Sequence, residues 1–588
     1  MTDYKLVNIV DSKLEDISSE ITMPVVSGAK DNTFQNFLAS TQTPTTVQIT
    51  VSVPSLDIGT DREMLITSKM KLKVLFQGGA TAGYWKPDVT LFQYGYTNAL
   101  SAFPFNALTT TKQAQINNTA VTVQSNDVMP ALLKLMNYEE LSKYNSLCPS
   151  LIDSFYQDYR DGIGSNNNVL GNYSNGGYSK EFQPRGVFPV KITDLSGNEL
   201  PSYTIKADNH GTNPYGEGIY IEFVTTEPIL FLSPFISGNS NNKAAFMGIN
   251  KMNLTFQMNA NGSYAMSNAS YATNGSNTES ATISNVQLVN LTDTYALCNF
   301  LSIPANLASK IPIKNVLNYN QYQAFKSANL ALIQSGKETR NGTGSQTLNK
   351  IQIPSKLLIY VINESHTSYD SNYFLVIKSI SVNFANKSGL LAGATQQQLF
   401  NMSMNNGLQM TYYEFSGEGM SNNTDGEVVN VPTIGSIIVI DPAKDLGLSD
   451  QFSNMSKGSF AITCDVTYYN QTKKDITPTI YMTVVDSGVF MTENGTSIYN
   501  VGLLNQEQVL DTKAQEAITD THSYSQEITG GSIENVNSIH KHLKKLFSRN
   551  SQKEAQVDTD RGESAGVMSA GAMSAGEMKK GRRLHNYM

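Results

Sequence analysis

Residues 103–136 read FPFNALTTTKQAQINNTAVTVQSNDVMPALLKLM and pass from a strand pattern to a helix pattern. Apolar and polar residues alternate as far as Val123, which predicts half-buried strands, because successive strand side chains point to opposite faces of a sheet. A short helix follows, with Asn126 or Asp127 as its N-cap and Pro130 in its first turn, where a missing N–H costs least. The apolar residues of this helix are Val128, Leu132, Leu135 and Met136.

The same order recurs in the second half of the chain. Strand-like runs at 357–362 and 374–384 lead to ATQQQLFNMSMNNG at 394–407, where Thr395 and Gln398 form a predicted capping box. The helix carries apolar residues at Leu399, Phe400, Met402 and Met404, and it stops at Gly407. Two similar β units in one chain favour a structural building block over an enzyme.

The composition is that of a sheet protein with many loops. Of the 588 residues, 40% are hydrophobic and 16% are charged, and the 42 glycines favour turns over long helices. We therefore predict an all-β fold with short helices inserted between strands. We place an N-terminal arm at 1–40, a first unit at 41–290, a second unit at 291–505 and a C-terminal tail at 506–588.

The tail differs in charge from the rest of the chain. Residues 538–588 hold ten Lys/Arg against five Asp/Glu, which leaves 32 against 45 for everything before them. The acidic body argues against a nucleic-acid groove on its main surface, whereas a basic tail can contact phosphates or anionic lipid. A short amphipathic helix within the tail is a satellite helix on the body, an anchor for a membrane or partner protein, or a genome-facing contact. The candidate contact residues are Lys541, Lys544, Lys545, Arg549, Lys579, Lys580, Arg582 and Arg583.

Catalytic and cofactor motifs are missing from the sequence. It contains no phosphate-binding loop, no dinucleotide fingerprint, no H-E-x-x-H and no G-x-S-x-G. The cysteines Cys148, Cys298 and Cys464 are widely spaced and form no metal set, and Cys464 has the phase of a buried residue. We therefore predict no catalytic, cofactor-binding or metal residues and no enzyme. The first residues lack a signal-peptide pattern, so we expect a protein that is not secreted by that route.

Four blocks of sequence resemble the major capsid proteins of virophages and polinton-like viruses, which have a double jelly-roll fold. The first block, 101–159, contains an AFP turn, an IN-x-x-x-V pattern and then a helix. The others are TEPILFLSPF with AFMGINKMNLTF at 226–235 and 245–256, ATQQQLFNMSMNNG at 394–407, and GSIIVIDPAKDLGL at 435–448. The resemblance covers about residues 40 to 490, with the blocks in the right order.

This resemblance implies two consecutive eight-stranded jelly rolls. It also implies a pseudo-hexagonal homotrimer that builds the icosahedral shell of a DNA virus. The expected partners are other copies of the chain, penton and minor capsid proteins, and genome DNA or an internal membrane reached by the basic tail. We expect the protein in the virion, after synthesis in the host cytoplasm. The family offers no catalytic motif to transfer.

The resemblance also suggests a maturation step in the tail. Related large DNA viruses use cysteine proteases that cut after Gly in Ala-Gly-x, and this tail offers Gly566, Gly571 and Gly576 in that context. The alternative is a flexible linker of low complexity.

Two rival functions stay open from the residues alone. A non-viral β-sandwich binding or adhesive protein, if secreted, should carry a signal peptide. A glycoside-active enzyme should show clustered aromatic residues for stacking on sugars, but Trp85 is the single tryptophan.

Overall fold

The computed structural model describes residues 32–77, 90–95, 98–153, 185–206, 218–237, 245–268, 282–302, 314–334, 340–364, 366–385, 387–422, 428–448, 457–472 and 474–502. Two sets of eight strands dominate this part of the chain, and every strand pair in them is antiparallel. The first set is β1 (Asn32–Gln42), β2 (Thr46–Ser52), β3 (Leu65–Gln77), β4 (Thr109–Ile116), β5 (Thr119–Gln124), β6 (Gly218–Pro228), β7 (Lys251–Met258) and β8 (Thr282–Leu301). The second set is β9 (Lys314–Lys326), β10 (Asn341–Gln352), β11 (Lys356–Asn363), β12 (Val376–Phe384), β13 (Lys387–Leu390), β14 (Ile438–Ile440), β15 (Lys457–Tyr469) and β16 (Pro478–Glu493).

The two sets have the same strand order. In the first, β1, β8, β3 and β6 lie side by side, and β2, β7, β4 and β5 form the other run, which joins the first through β1 and β2. In the second, the orders are β9, β16, β11, β14 and β10, β15, β12, β13. Adding eight to each strand number converts the first pattern into the second. Each set is an eight-stranded jelly roll, and both the predicted fold class and the predicted duplication are confirmed.

Short elements fill the connections between the long strands. The helices are α1 (Pro104–Leu108), α2 (Ser125–Leu133), α3 (Tyr138–Ser142), α4 (Gln396–Asn405), α5 (Tyr412–Ser416) and α6 (Pro442–Asp445). Two single 3₁₀ turns lie at Arg185–Val187 and Gly262–Tyr264. The minor strands are Gly59–Thr60, Thr90–Gln93, Asn98–Leu100, Lys191–Asp194, Thr204–Lys206, Met266–Asn268, Glu418–Asn422, Val428–Pro432 and Thr496–Val501.

Alternating burial accounts for the strands of the first roll. In β2, Val47, Ile49 and Val51 are fully or almost fully buried, while the residues between them are exposed. Strand β3 buries Met70, Leu72 and Val74 and directs its lysines to the other face, with the Lys69 ammonium 2.8 Å from Glu222. Each strand thus has one face in the core and one face on the surface, as the period-2 pattern predicts.

The two predicted helices occupy equivalent places, because α2 follows the fifth strand of the first roll and α4 follows the fifth strand of the second. The capping box of α4 is confirmed: the Gln398 N–H donates to Thr395 Oγ1 at 3.3 Å, and the Thr395 N–H donates to Gln398 Oε1 at 2.8 Å. Gly407 follows the helix with φ of 102°. The second short helix near Tyr138 is also present, as α3.

The predicted start of α2 is wrong. The helix begins at Ser125 directly after β5, its N-cap is Gln124, and no side chain caps it. Pro130 therefore lies in the second turn rather than the first. Asp127 does not act as a cap because its carboxylate pairs with Lys326 of the second roll at 2.8 Å. Leu135 and Met136 lie beyond the last helical residue.

The structure bears on the predicted domain limits in two places. Residues 32–40 of the expected arm are part of β1, which pairs with β8. Strand β8 itself runs through the expected boundary between 290 and 291. The division into arm, two units and tail stays a prediction, and the tail from 506 lies outside the described residues.

Candidate functional site

We call the contact between the two jelly rolls the seam. It contains hydrogen bonds and ion pairs between described residues of the two rolls. All of these residues belong to one compact unit of the chain. In the middle of the second roll, every residue of 357–361 is buried, so β11 lacks the alternation that a strand with one wet face shows. A strand buried on both faces needs a packed layer on each side. On one face of β11, Tyr360 reaches α2 of the first roll.

Several hydrogen bonds join the first roll to the second across the seam. Tyr360 Oη donates to the Asp127 carbonyl at 2.6 Å, which ties β11 to α2. The other contacts are Thr492 Oγ1 to the Met247 carbonyl at 2.6 Å, Asn315 Nδ2 to the Ala245 carbonyl at 3.1 Å, Gln409 N–H to the Lys134 carbonyl at 2.7 Å, Asn268 N–H to the Ser368 carbonyl at 2.7 Å, and Ile283 N–H to Tyr369 Oη at 2.6 Å. Several of the acceptors are backbone carbonyls, so the seam fixes the two chain paths as well as the side chains.

A buried ionic cluster lies in the seam. Lys134 Nζ donates to the Asp153 carbonyl and lies 3.9 Å from Glu414 Oε1 of the second roll, and both side chains of this ion pair are 5% exposed. The Arg185 guanidinium is 2.7 Å from Asp153 Oδ1, and the Asn372 N–H donates to Asp153 Oδ2 at 3.0 Å. Burial lowers the pKa of Lys134, while Glu414 opposes that shift. Loss of one member would leave its partner as an uncompensated buried charge.

A second charge cluster in the seam is partly open to solvent. The Lys326 ammonium lies 2.8 Å from Asp127 Oδ1 and 3.6 Å from Glu364 Oε1, so two carboxylates share one cation. Tyr481 Oη donates to Glu364 Oε1 at 2.8 Å, and its ring centroid is 5.1 Å from the Lys326 ammonium. The cluster connects α2 of the first roll with β9, β11 and β16 of the second.

Two of the sequence blocks that suggested the family meet inside the first roll. Glu227, in the TEPILFLSPF block, accepts hydrogen bonds from the N–H groups of Phe105 and Asn106 at 2.8 and 3.0 Å. Asn106 Oδ1 in turn accepts from Lys112 Nζ at 2.6 Å. Burial lowers the pKa of Lys112 to about 7 and raises the pKa of Glu227. This network holds α1, which begins at the proline of the AFP turn, against the end of β6.

The structure does not reach the residues that the sequence suggested for external contacts. The eight basic tail residues Lys541, Lys544, Lys545, Arg549, Lys579, Lys580, Arg582 and Arg583 lie outside the described residues, as do the glycines Gly566, Gly571 and Gly576. Within the described ranges, no group of three or more His, Cys, Asp and Glu could hold a metal ion. In the same ranges, no helix is long and apolar enough to cross a membrane.

The three cysteines are buried, and burial raises the pKa of Cys298 and of Cys464 to about 12. Cys464 is therefore the small buried side chain that its phase predicted.

Sequence reasoning missed the charged residues of the seam. The local pattern predicts Asp127 as a helix cap, whereas its ionic partners Lys326 and Glu364 are about 200 positions away in the sequence. Lys134 and Glu414 are similarly distant. A charged residue in an otherwise apolar segment, such as Lys134 in ALLKLM, was the available signal, because a buried lysine needs a partner.

Two jelly rolls with the same strand order in one chain define the class of double jelly-roll capsid proteins. Two family models place the chain within that class. The model described as "Sputnik virophage major capsid protein 1st domain" matches residues 2–301, and "Major capsid protein V20 C-terminal domain" matches residues 326–488. The chain belongs to the family of the Sputnik virophage major capsid protein. The resemblance inferred from the sequence blocks is confirmed.

Individual relatives give the same result. Capsid protein V20 of Sputnik virophage is 24% identical over 543 residues, which are 90% of this chain and 84% of that protein. A chain of the cryo-EM structure of Sputnik virophage superposes with a TM-score of 0.68 at 21% identity, covering 91% of this chain and 98% of that one. The mavirus major capsid protein superposes with a TM-score of 0.62 at 15% identity, covering 90% and 100%.

These families consist of structural capsid proteins, and the chain is a viral capsid protein rather than an enzyme. The matches do not support the rival interpretations as an adhesive protein or a glycoside-active enzyme.

Proposed function

We propose that the chain assembles into a homotrimer of pseudo-hexagonal outline and that these trimers tile the icosahedral shell of a DNA virus. The observation that carries this proposal is the repeated strand order, which presents two similar β blocks in one rigidly joined chain. Three copies around a threefold axis then place six similar blocks in a ring, and closed cyclic symmetry is the usual form of homo-oligomers. Such a ring has the outline of a hexagonal tile.

Light scattering after size-exclusion chromatography tests the oligomer. We expect a mass three times the 64.4 kDa of the chain, and negative-stain images with a hexagonal outline. A protein that stays monomeric at every concentration used for assembly would contradict the proposal. Particles or flat hexagonal lattices formed by the purified chain would support its second part.

We further propose that the basic tail faces the inside of the shell. The residues assigned to this contact are Lys541, Lys544, Lys545, Arg549, Lys579, Lys580, Arg582 and Arg583. The support is the contrast in net charge between residues 538–588 at +5 and residues 1–537 at −13, because a polyanion attracts the end of the tail and repels the rest of the chain. Genome DNA, an internal membrane and a minor capsid protein are the three candidate partners.

Binding assays on the full chain separate these partners. Glutamine at the eight tail positions should abolish binding to duplex DNA or to anionic vesicles, and the salt dependence for DNA should be steep. A matched control neutralises Lys69, Lys71 and Lys73, which lie together on the surface of β3. If the control weakens binding as much as the tail variant does, the assignment to the tail is wrong.

We also propose that a viral cysteine protease removes part of the tail after Gly566, Gly571 or Gly576. The support is the repeated Ala-Gly step in a low-complexity segment outside the two rolls. Intact-mass measurement on mature particles tests this directly. A mass that corresponds to a chain ending at Met588 would refute the cleavage.

The remaining partners are penton and minor capsid proteins, and the proposed place of synthesis is the host cytoplasm. Cross-linking mass spectrometry on purified particles tests the first, with cross-links expected from this chain to other shell proteins. Fluorescence imaging of the tagged chain before particle release tests the second.

A further inference from the structure

A cavity of about 250 Å³, with both polar and apolar walls, lies in the seam between the two rolls. The first roll contributes Asp127 and Tyr264 to its wall, and the second roll contributes Lys326, Glu364 and Tyr481. It is smaller than the pockets that bind drug-sized ligands, so it suits a molecule with few heavy atoms. Its wall contains the partly open charge cluster described above.

The charges of the cavity favour a cation. Asp127 and Glu364 supply two carboxylates, and Lys326 is the cation that lies within 4 Å of both. The third carboxylate of the wall, Asp370, is paired with Lys474. The cluster therefore has one negative charge more than its own lysine neutralises. The side chains of Asp127 and Glu364 are 24% and 43% exposed, so a molecule that enters from solvent can contact them.

Aromatic rings line the cavity together with this charge cluster. The Tyr481 ring lies 5.1 Å from the Lys326 ammonium, and it stacks on Tyr360 with centroids 5.3 Å apart. On the other side, His366 stacks on Tyr264 with centroids 4.6 Å apart. Faces of tyrosine rings attract ammonium groups. Burial lowers the pKa of His366, so its imidazole is uncharged at neutral pH and does not repel a cation.

A separate observation indicates an unfilled place for a ligand. Ser371 lines the cavity and is 2% exposed, yet its hydroxyl has no hydrogen-bond partner among the described residues. A buried hydroxyl without a partner is costly and normally bonds to another group, a water or a ligand. The oxygen of Ser371 can accept a hydrogen bond from an amine.

We propose that the cavity binds a small aliphatic amine cation, held by the carboxylates of Asp127 and Glu364, the ring of Tyr264 and the hydroxyl of Ser371. The ligand touches both jelly rolls and thereby stabilises the seam. Lys326 is paired with the same two carboxylates, so the ligand and this lysine compete for them. The proposal concerns the folded chain itself and does not depend on its oligomeric state.

Other ligand classes fit the cavity less well. An anion would meet two carboxylates at the open end of the site. A divalent metal ion prefers six or more oxygen ligands at short range, whereas much of this wall is aromatic. An uncharged aromatic ligand would leave the surplus carboxylate and the Ser371 hydroxyl without partners.

Isothermal titration calorimetry with 1,4-diaminobutane tests the proposal on the full chain at constant ionic strength. We expect saturable binding with one site per chain and a higher melting temperature at increasing diamine concentration. Succinate, a dianion of similar length, should not bind. Absence of saturable heat with the diamine, or equal binding of the diamine and the dianion, overturns the proposal.

Two variants with opposite expected effects on diamine affinity make the test specific. Glu364→Gln keeps the shape of the side chain and removes its charge, and it should weaken diamine binding about tenfold. Lys326→Met removes the competing ammonium and should strengthen binding. If Lys326 has only a structural role, Lys326→Met will weaken binding or leave it unchanged, and either result refutes the competition.

Glu199→Gln is the matched control, because Glu199 is paired with Lys191 on the surface outside the cavity. It should bind the diamine as the unmodified chain does. If this control weakens binding as much as Glu364→Gln does, the diamine acts as a general counterion and the site is refuted. Circular dichroism on each variant confirms the fold, and Glu364→Gln decides the question should Lys326→Met fail to fold.

Discussion

At the scale of single residues, the charged groups with the largest structural consequence are buried. Glu227 is fully buried near the end of β6 and accepts bonds from two backbone N–H groups of α1 and from Thr225 Oγ1 at 2.9 Å. Its neighbour Lys112 is also fully buried and donates to Asn106 and to the Leu230 carbonyl. Buried charged groups are tolerated only where every bond is made. This network is therefore a sensitive point of the fold.

Replacement of Glu227 by alanine should destabilise the chain strongly. The change leaves two backbone N–H groups, the Asn106 side-chain amide and the Thr225 hydroxyl without their acceptor, and it removes the negative charge near Lys112. Breaking such a network costs about 3 to 5 kcal/mol. Urea unfolding followed by circular dichroism measures the loss. Glu222→Ala is the control, because Glu222 pairs with Lys69 at the surface and such pairs contribute at most about 1 kcal/mol. Equal losses in the two variants would contradict the proposed importance of burial.

The buried lysine also predicts a pH dependence. Burial lowers the pKa of Lys112 to about 7 in the folded chain, against an ordinary value of 10.5. Between these values the unfolded chain binds a proton that the folded chain does not, so the contribution of Lys112 to stability rises with pH. The free energy of unfolding should therefore increase from pH 7 to pH 9 more in the unmodified chain than in Lys112→Met. Parallel pH profiles would show that Lys112 keeps its ordinary pKa.

At the scale of elements, the two equivalent helices show how far local sequence predicts structure. The N-terminus of α4 is predicted to the residue because Thr395 and Gln398 are close in sequence and bond to each other. The start of α2 is not, because Asp127 pairs with Lys326 of the other roll. Local capping rules predict where a helix begins only if the capping side chain does not bind a partner that is distant in sequence.

Thr395→Ala should destabilise the protein by about 1 kcal/mol, because the change removes the hydroxyl that accepts the Gln398 N–H. Urea unfolding measures the difference. Gln124→Ala is the matched control, because Gln124 is the N-cap of α2 and makes no capping bond. We expect a smaller effect there. An effect of equal size at both helices would contradict a specific role for the capping box.

At the scale of the whole molecule, the seam makes two jelly rolls into one unit. Strand β11 is buried on both faces, and bonds from Tyr360, Thr492 and Gln409 cross between the rolls. In the proposed shell, a tile needs such rigidity, because its two blocks must keep a fixed geometry while neighbours contact either one. On that proposal the seam serves the function as well as the fold.

The seam predicts cooperative unfolding of both rolls. Calorimetry on the isolated chain should show one transition, with equal calorimetric and van't Hoff enthalpies. Lys134→Met removes the cation from Glu414 and Asp153, and it should lower stability by about 3 to 5 kcal/mol. Hydrogen exchange should then accelerate in peptides of both rolls. Acceleration confined to the first roll would show that the rolls unfold separately.

The class of fold, the duplication and the family can be predicted from the amino-acid sequence alone. These features depend on patterns of short range: the alternation in β2 and β3, the capping box at Thr395, and blocks such as TEPILFLSPF. The period of a strand and the geometry of a cap are set by neighbouring residues, so they can be predicted without knowledge of the rest of the chain.

Which charged residues meet depends on the tertiary packing. Lys326 with Asp127, Lys134 with Glu414, and Glu227 with Lys112 are each separated by more than 100 residues. Their pairing depends on how the two jelly rolls pack, and a charge pattern in sequence does not encode that distance. The seam, its cavity and the start of α2 follow from this packing, which is the physical reason that the sequence did not predict them.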